Sequence, residues 1–264
     1  VESEKGTVIS LPGVPREMKD ILAATVIPYL RERMGGLGMI KAKVLRTAGI
    51  GESMIDARIT DLMTWNNPTV GLAAHTGQTD IRITARADTE AEADRMIAEA
   101  EQILQERVGE FIYGTDKELL EDAFMRMLNE RGLKLAVSYS GPGGSILSER
   151  LHHEGSYADV VIAEAYEYDL NALLARLNRS ADDVISDYCE LSRAEAKRLC
   201  EISGADVVIA IVTHETGTGI TSLTQHEERS RSYHFGGVDN ETPIWAGTWG
   251  MSMAWRLVRQ AGEI

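Results

Sequence analysis

The run Val207-Val208-Ile209-Ala210-Ile211-Val212 constrains the fold of this chain more than any other stretch. It is apolar without alternation, so a strand built from it must be covered on both faces. That is the signature of the middle of a parallel or mixed sheet clad in helices. A second buried strand is expected over Lys134–Tyr139. Around these two, the periodicity predicts helices over Leu119–Leu133, Gly144–His152, Leu170–Leu177, Ala181–Tyr188 and Arg193–Ser203, and a strand over Ala158–Ala165. Strands near Ser222–His226 and Ser230–Phe235 would form an antiparallel edge. A closing helix carries Trp245, Trp249, Met253, Leu257 and Val258 at core spacing. Residues 115–264 therefore read as one α/β unit of three-layer type.

Two smaller units precede it. Over 1–38, Thr7–Leu11 reads as a strand and Leu11-Pro12-Gly13-Val14-Pro15 as a turn. A helix begins at Pro15, to be kinked or ended by Pro28. One strand and one helix cannot bury a core, so this is a βα unit packed on the next unit or the remnant of another domain. Over 39–114 the order is β-α-β-β-α: a strand over Ile40–Thr47, a helix over Gly51–Met63, a hairpin of Thr69–His75 with Thr79–Ala87 around Thr76-Gly77-Gln78, and a long helix over Asp88–Val108. That order suits a small α+β sandwich.

The bulk properties exclude some classes of function. The chain has 264 residues and a formal charge of −14, which argues against a nucleic-acid backbone as partner. A small anion held by backbone N–H groups is still compatible with that charge. Two cysteines, Cys189 and Cys200, make no C-x-x-C pair, so a reducing cytoplasm is the expected location. No apolar run approaches the ~20 residues that span a bilayer, and no membrane partner is expected.

The sharpest chemical signal is Leu135-Ala136-Val137-Ser138-Tyr139-Ser140-Gly141-Pro142-Gly143-Gly144-Ser145. A buried strand ends in hydroxyls and glycines, and a helix begins at once. Glycines let backbone approach a ligand, and the first N–H groups of a helix can hold a phosphate or oxyanion. A tight strand-to-helix connection explains the same residues. Ser140 is the nucleophile candidate, although no sequence rule supplies the base it would need. Thr213-His214-Glu215-Thr216-Gly217-Thr218-Gly219 comes after the apolar strand and reads, in isolation, as a solvated loop. His152-His153-Glu154, His214-Glu215 and His226-Glu227 are adjacent in sequence and diverge in space, so no metal site is expected.

Leu11-Pro12-Gly13-Val14-Pro15-Arg16-Glu17-Met18, Arg46-Thr47-Ala48-Gly49-Ile50-Gly51-Glu52-Ser53 and Ile112-Tyr113-Gly114-Thr115-Asp116 resemble stretches of the CinA competence/damage-inducible family. The first closes that family's N-terminal molybdopterin-binding-like domain, which is nearly absent here. The others belong to its KH-like middle region. The resemblance implies a remnant over 1–38, a KH-like domain over 39–114 and a CinA-like α/β domain over 115–264. In active relatives that last domain deamidates nicotinamide mononucleotide. Their E-S-C-T-G-G turn is Tyr139-Ser140-Gly141-Pro142-Gly143-Gly144 here. This keeps the serine and the glycine pair while losing the glutamate, cysteine and threonine. Their Y-S-N-x-x-K becomes Ala165-Tyr166-Glu167-Tyr168-Asp169-Leu170, without lysine, and Tyr166 takes the tyrosine's place if the register shifts by one. Their T-G-x-x-G-P keeps Thr213 and Gly217. The resemblance thus nominates Ser140 and Tyr166 as catalytic and Gly143, Gly144, Ser145, Thr213 and Gly217 as ligand-binding. The expected ligand is nicotinamide mononucleotide or a relative, with no cofactor, in a homodimer. Loss of the lysine implies a degenerate deamidase. An altered hydrolase using Ser140 with Tyr166, His214 or Glu215, or a structural module with a vestigial site, are the alternatives.

Overall fold

The computed structural model describes residues 2–3, 6–33, 38–153, 157, 159–180, 187–236 and 241–261. The helix expected over 181–188 lies largely outside them, as do Glu154 and the first residue of the strand expected from Ala158.

At the start, β1 (Glu2–Ser3) pairs antiparallel with β2 (Gly6–Thr7). The strand expected over Thr7–Leu11 does not continue past Thr7. Val8 and Ile9 are exposed and lie outside any strand. Pro15 opens α1 (Pro15–Ile21), which passes through a π turn at Leu22–Val26 into α2 (Ile27–Arg33). Pro28 neither ends nor sharply breaks this helix. It has no N–H to offer Ala24, and its ring crowds that carbonyl; the π turn lies at this point and the helix continues.

The second unit is a four-stranded antiparallel sheet in the order β4-β5-β3-β6. Its elements are β3 (Met39–Ala48), α3 (Glu52–Met63), β4 (Thr69–His75), β5 (Gln78–Ala87), α4 (Glu90–Val108) and β6 (Ile112–Thr115). Inward residues of β3 and β5, among them Leu45, Ile81 and Ile83, pack on Ile55, Ile59 and Leu62 of α3 and on Ile97 and Leu104 of α4. Thr89 sets the start of α4 by accepting a bond from the Glu92 N–H, so Asp88 stays outside the helix.

The third unit confirms an α/β fold. It contains α5 (Leu120–Glu130), β7 (Leu135–Ser140), α6 (Gly144–Leu151), β8 (Val161–Glu167), α7 (Leu170–Arg176), α8 (Tyr188–Ser203), β9 (Val207–His214), β10 (Gly217–Thr224), β11 (Glu228–Tyr233) and α9 (Glu241–Ala261). The strand order is β8-β7-β9-β10-β11, parallel through β8-β7-β9 and antiparallel beyond. α5, α6 and α9 share a core with one face, whose residues include Val137, Tyr139, Ile209 and Ile211. α8 covers the other, packing Ala196 and Leu199 on Ala136, Val208 and Ala210.

Thr213–Gly219 is not a solvated loop: β9 turns into β10 through Glu215 and Thr216 alone. The glycines serve packing. A Cβ on Gly217 would lie 2.6 Å from the Tyr188 ring, and one on Gly219 would lie 2.0 Å from the Tyr188 carbonyl oxygen. α8 can settle on β10 only because those side chains are missing.

α9 also reaches the antiparallel sheet. Ser252 Oγ donates to the Ala48 carbonyl at 2.8 Å, and Gly49 takes a left-handed φ of +72° beside it. A Cβ at Gly49 would sit 2.2 Å from Ser252 Oγ, whereas one at Gly132 (φ +66°) would meet nothing within 4 Å. Gly132→Ala is therefore expected to cost about 1 kcal/mol, the left-handed penalty alone. Gly49→Ala should cost about 2–4 kcal/mol, because the helix contact is lost as well. Urea unfolding of the two variants measures the difference.

Candidate functional site

β7 ends at Ser140, and the chain reverses through Gly141 (φ +132°) and Gly143 (φ +81°), the latter capping α6. The Gly141 N–H donates to the Glu167 carbonyl at 2.8 Å, so the β7–β8 pairing extends into the turn. Close approach explains the glycines. A Cβ on Gly141 would lie 2.1 Å from Thr213 Oγ1, one on Gly143 2.3 Å from Pro243 Cγ, and one on Gly144 3.1 Å from the Tyr139 ring.

After β7 the chain crosses to the α6 face; after β8 it crosses to the α7 face. Open α/β sheets bind ligands outside the carboxyl ends of their parallel strands. A cavity of about 230 Å³ lies there, lined by Gly141, Gly143, Gly144, Ser145, Tyr166, Glu167 and Tyr168. The first amides of α6 have no acceptor within their own helix and can serve an anion.

Of the residues nominated from sequence, the structure brings Gly143, Gly144, Ser145 and Tyr166 to this cavity. Ser140 stands apart from it. Its side chain is fully buried, and its Oγ has no hydrogen-bond partner among the described residues. Strand register pairs Ser140 with Glu167, and Tyr139 with Tyr166. Successive residues face opposite ways, so Ser140 and Tyr166 lie on opposite faces of the sheet. Tyr166 packs with the α6–α9 core, and its hydroxyl donates to Glu164 Oε1 at 2.6 Å. Burial pushes that phenol well above its ordinary value, and the Glu164 carboxylate adds to the shift. Thr213 is buried behind the turn, where its hydroxyl donates to the Tyr139 hydroxyl at 3.4 Å. Gly217 lies beneath Tyr188, away from the cavity. His214, at the hairpin, hydrogen-bonds the Tyr188 hydroxyl through Nδ1 at 3.0 Å.

The face that holds Ser140 carries a buried charged cluster that sequence reasoning missed. Ser138 Oγ donates to Glu195 Oε1 at 3.1 Å. Glu195, 1% exposed, also accepts from Arg198 at 2.8 and 2.9 Å and from Arg176 at 3.2 Å. Arg176 in turn pairs with Glu167. Glu167 Oε2 and Arg176 Nε join Ser140 Oγ as buried atoms without partners among the described residues. The parity of β7 is the signal that could have found the cluster: Ser138 and Ser140 share one face. Their partners on α7 and α8 are distant in sequence.

Arg150 fixes α6 from behind. It donates to Glu121 on α5 at 2.9 and 3.2 Å, and to the Ile244 carbonyl and Thr248 Oγ1 of α9 at 3.1 and 3.0 Å. Among the described residues, no three His, Cys, Asp or Glu gather as a metal site, and no helix is long and apolar enough to cross a membrane.

The Damage-inducible protein CinA KH domain family matches residues 42–114, from within β3 into β6. The CinA-like protein of Dictyoglomus turgidum is 34% identical over 195 residues, 74% of this chain and 46% of that protein. The chain belongs to the CinA family. A CinA-like protein of Dictyoglomus thermophilum is 31% identical over 213 residues, covering 78% of the chain and 51% of the relative. The chain thus spans about half the length of these curated relatives. The competence or damage-inducible protein of Enterobacter asburiae superposes with a TM-score of 0.46 at 16% identity, covering 53% of this chain and 96% of that one.

Two outcomes are expected from the anchoring pairs. Glu195→Ala leaves Arg176 and Arg198 short of a buried counter-ion and should lower stability by about 3–5 kcal/mol, read by denaturant unfolding. At Glu121, burial opposes ionisation, but the Arg150 guanidinium outweighs it and holds the carboxyl below its ordinary 4.5. A folded-state value below the unfolded one means that the stabilisation is complete above the unfolded-state value and is lost as pH falls through the folded one. Glu121→Gln should therefore melt lower than the parent chain at neutral pH, and lose less Tm on going from about pH 5 to about pH 3.

Proposed function

We propose that the third unit of this CinA-family chain binds a small nucleotide-type ligand in the β7–β8 cavity and lacks, or retains only at a strongly reduced rate, serine-dependent amide hydrolysis. The position of Ser140 carries this reading. Amide hydrolysis needs a nucleophile in contact with the substrate, a base to activate it, and a proton donor for the leaving amine. Ser140 Oγ is buried outside the cavity, without a hydrogen-bond partner among the described residues. Tyr166 is turned to the opposite face and engaged by Glu164. The binding half of the machinery has better support. The first amides of α6 suit a phosphate. Glu167 can accept hydrogen bonds from sugar hydroxyls, and the exposed Tyr168 ring suits a flat heterocycle. The ligand proposed is nicotinamide mononucleotide or a close relative, bound without a cofactor by a cytoplasmic homodimer.

Ammonia release from nicotinamide mononucleotide is the direct test. The expected rate is that of the Ser140→Ala variant and of buffer, or only slightly above it. Release at a rate typical of active relatives, abolished by Ser140→Ala, would overturn the hydrolytic part of the reading. For the binding part, the nucleotide should raise the Tm of the parent chain. That rise should shrink in Ser145→Asp, whose carboxylate would face the phosphate.

A further inference from the structure

Arg256 of α9 is a buried cation with no counter-ion among the described residues. It is 8% exposed, and among the described residues no carboxylate forms a salt bridge with it. Its Nε donates to the Ser252 carbonyl one turn back at 3.3 Å, and its guanidinium lies over the Phe111 ring at 4.9 Å. Neither contact neutralises the charge. Burial and then the nearby charge of Arg229 push the guanidinium down to about 10, with Arg231 adding to the shift and Glu110 opposing it. Buried charges are normally paired, since leaving one uncompensated is strongly unfavourable.

Arg256 also lines a cavity of about 250 Å³. It is lined by Gln105, Gly109, Glu110, Arg256, Arg259 and Gln260. Arg259 is held in place by donating to the Gly109 and Ile112 carbonyls at 3.2 and 3.4 Å. Gln260 accepts from Arg229 at 2.6 Å through its amide oxygen, which leaves its NH₂ as a donor. Glu110 is the one carboxylate of the lining among the described residues; its side chain is 50% exposed and lies 3.8 Å from Arg58. In a chain of net charge −14, positive charge is therefore gathered at one partly enclosed point. The cavity lies where the turn between α4 and β6 meets the last turns of α9, on elements separate from the β7–β8 cavity.

We infer that this cleft is a binding site for a small dianion of the phosphate class, free or as a phosphomonoester, to which Arg256 is the buried counter-ion and Arg259 the second guanidinium. Two guanidinium groups match a doubly charged tetrahedral anion, and each can present two parallel N–H donors to it. One partly enclosed pocket in a strongly acidic chain does not suit a nucleic-acid backbone, which needs a basic stripe.

Calorimetric titration of the whole chain with inorganic phosphate, at constant ionic strength, tests the inference. Saturable binding is expected, with acetate at least roughly tenfold weaker. Arg259→Gln and Arg256→Gln should each weaken binding at this site by roughly tenfold or more, and a saturable phosphate site should persist in Ser145→Asp, which acts on the β7–β8 cavity alone. Arg259 is less buried, so its variant carries the test if Arg256→Gln does not fold. Glycerol phosphate distinguishes the two sources: tighter binding than inorganic phosphate assigns the site to an ester, weaker binding to the free ion. Absence of saturable binding, equal binding of acetate, or phosphate binding lost in Ser145→Asp and intact in Arg259→Gln would each overturn the inference. The last of these would move the anion to the β7–β8 cavity and leave the reading of that cavity standing.

Discussion

The packing of α9 between two sheets is the contact on which the rest of the molecule depends. Gly250 lets the helix descend onto β9, where a Cβ would lie 2.8 Å from Ile209 Cγ2. Met251, Met253, Leu257 and Val258 are buried along its length, each contributing about 1.5–3 kcal/mol by removal from water. Ser252 then ties the same helix to Ala48 at the end of β3. A single helix thus closes the core of the mixed sheet and holds the antiparallel sheet against it.

The glycine turn takes its shape from that arrangement. Pro243, in the first turn of α9, sits where a side chain at Gly143 would be. Arg150 draws the far end of α6 to Ile244 and Thr248. With α6 pinned at both ends, the alternation of β7 sorts the chemistry. Tyr139 faces the aromatic and aliphatic core shared with α9, whereas Ser138 and Ser140 face the Glu195–Arg176–Arg198 cluster. A serine that sequence alone presents as a nucleophile is placed by one residue of parity on the side away from Tyr166.

The fold is legible in the sequence wherever the physics is local. The unalternating run before Val212 announces a strand covered on both faces, and the two long amphipathic helices of the antiparallel unit lie within a residue or two of their expected bounds. β6 escapes because four residues, Ile112–Thr115, are too few to show a period; its pairing with β3 is what makes it a strand. Thr213–Gly219 misleads because glycine and threonine in series signal a turn, while here the glycines yield to Tyr188, which precedes them by more than twenty residues. Part of the cavity is legible, since Gly143, Gly144 and Ser145 belong to one continuous motif. Glu167 and Tyr168 are not, because only the register of β8 against β7 carries them there. The Glu195 cluster and Arg256 are invisible for the same reason: the partners, or their absence, are set by packing between segments far apart in the chain.

The outer strand β11 bears on how this protein behaves in a crowd. It ends the mixed sheet among the described residues, and an open sheet edge is a template on which another chain can continue the ladder. Glu228, Arg229 and Arg231 lie along it, with Glu228 engaged by Arg193 and Arg229 by Gln260. A second copy adding a strand there would have to strip water from these charges and part the pairs already formed. The same residues that finish the sheet therefore guard the chain against growth into filaments at high concentration.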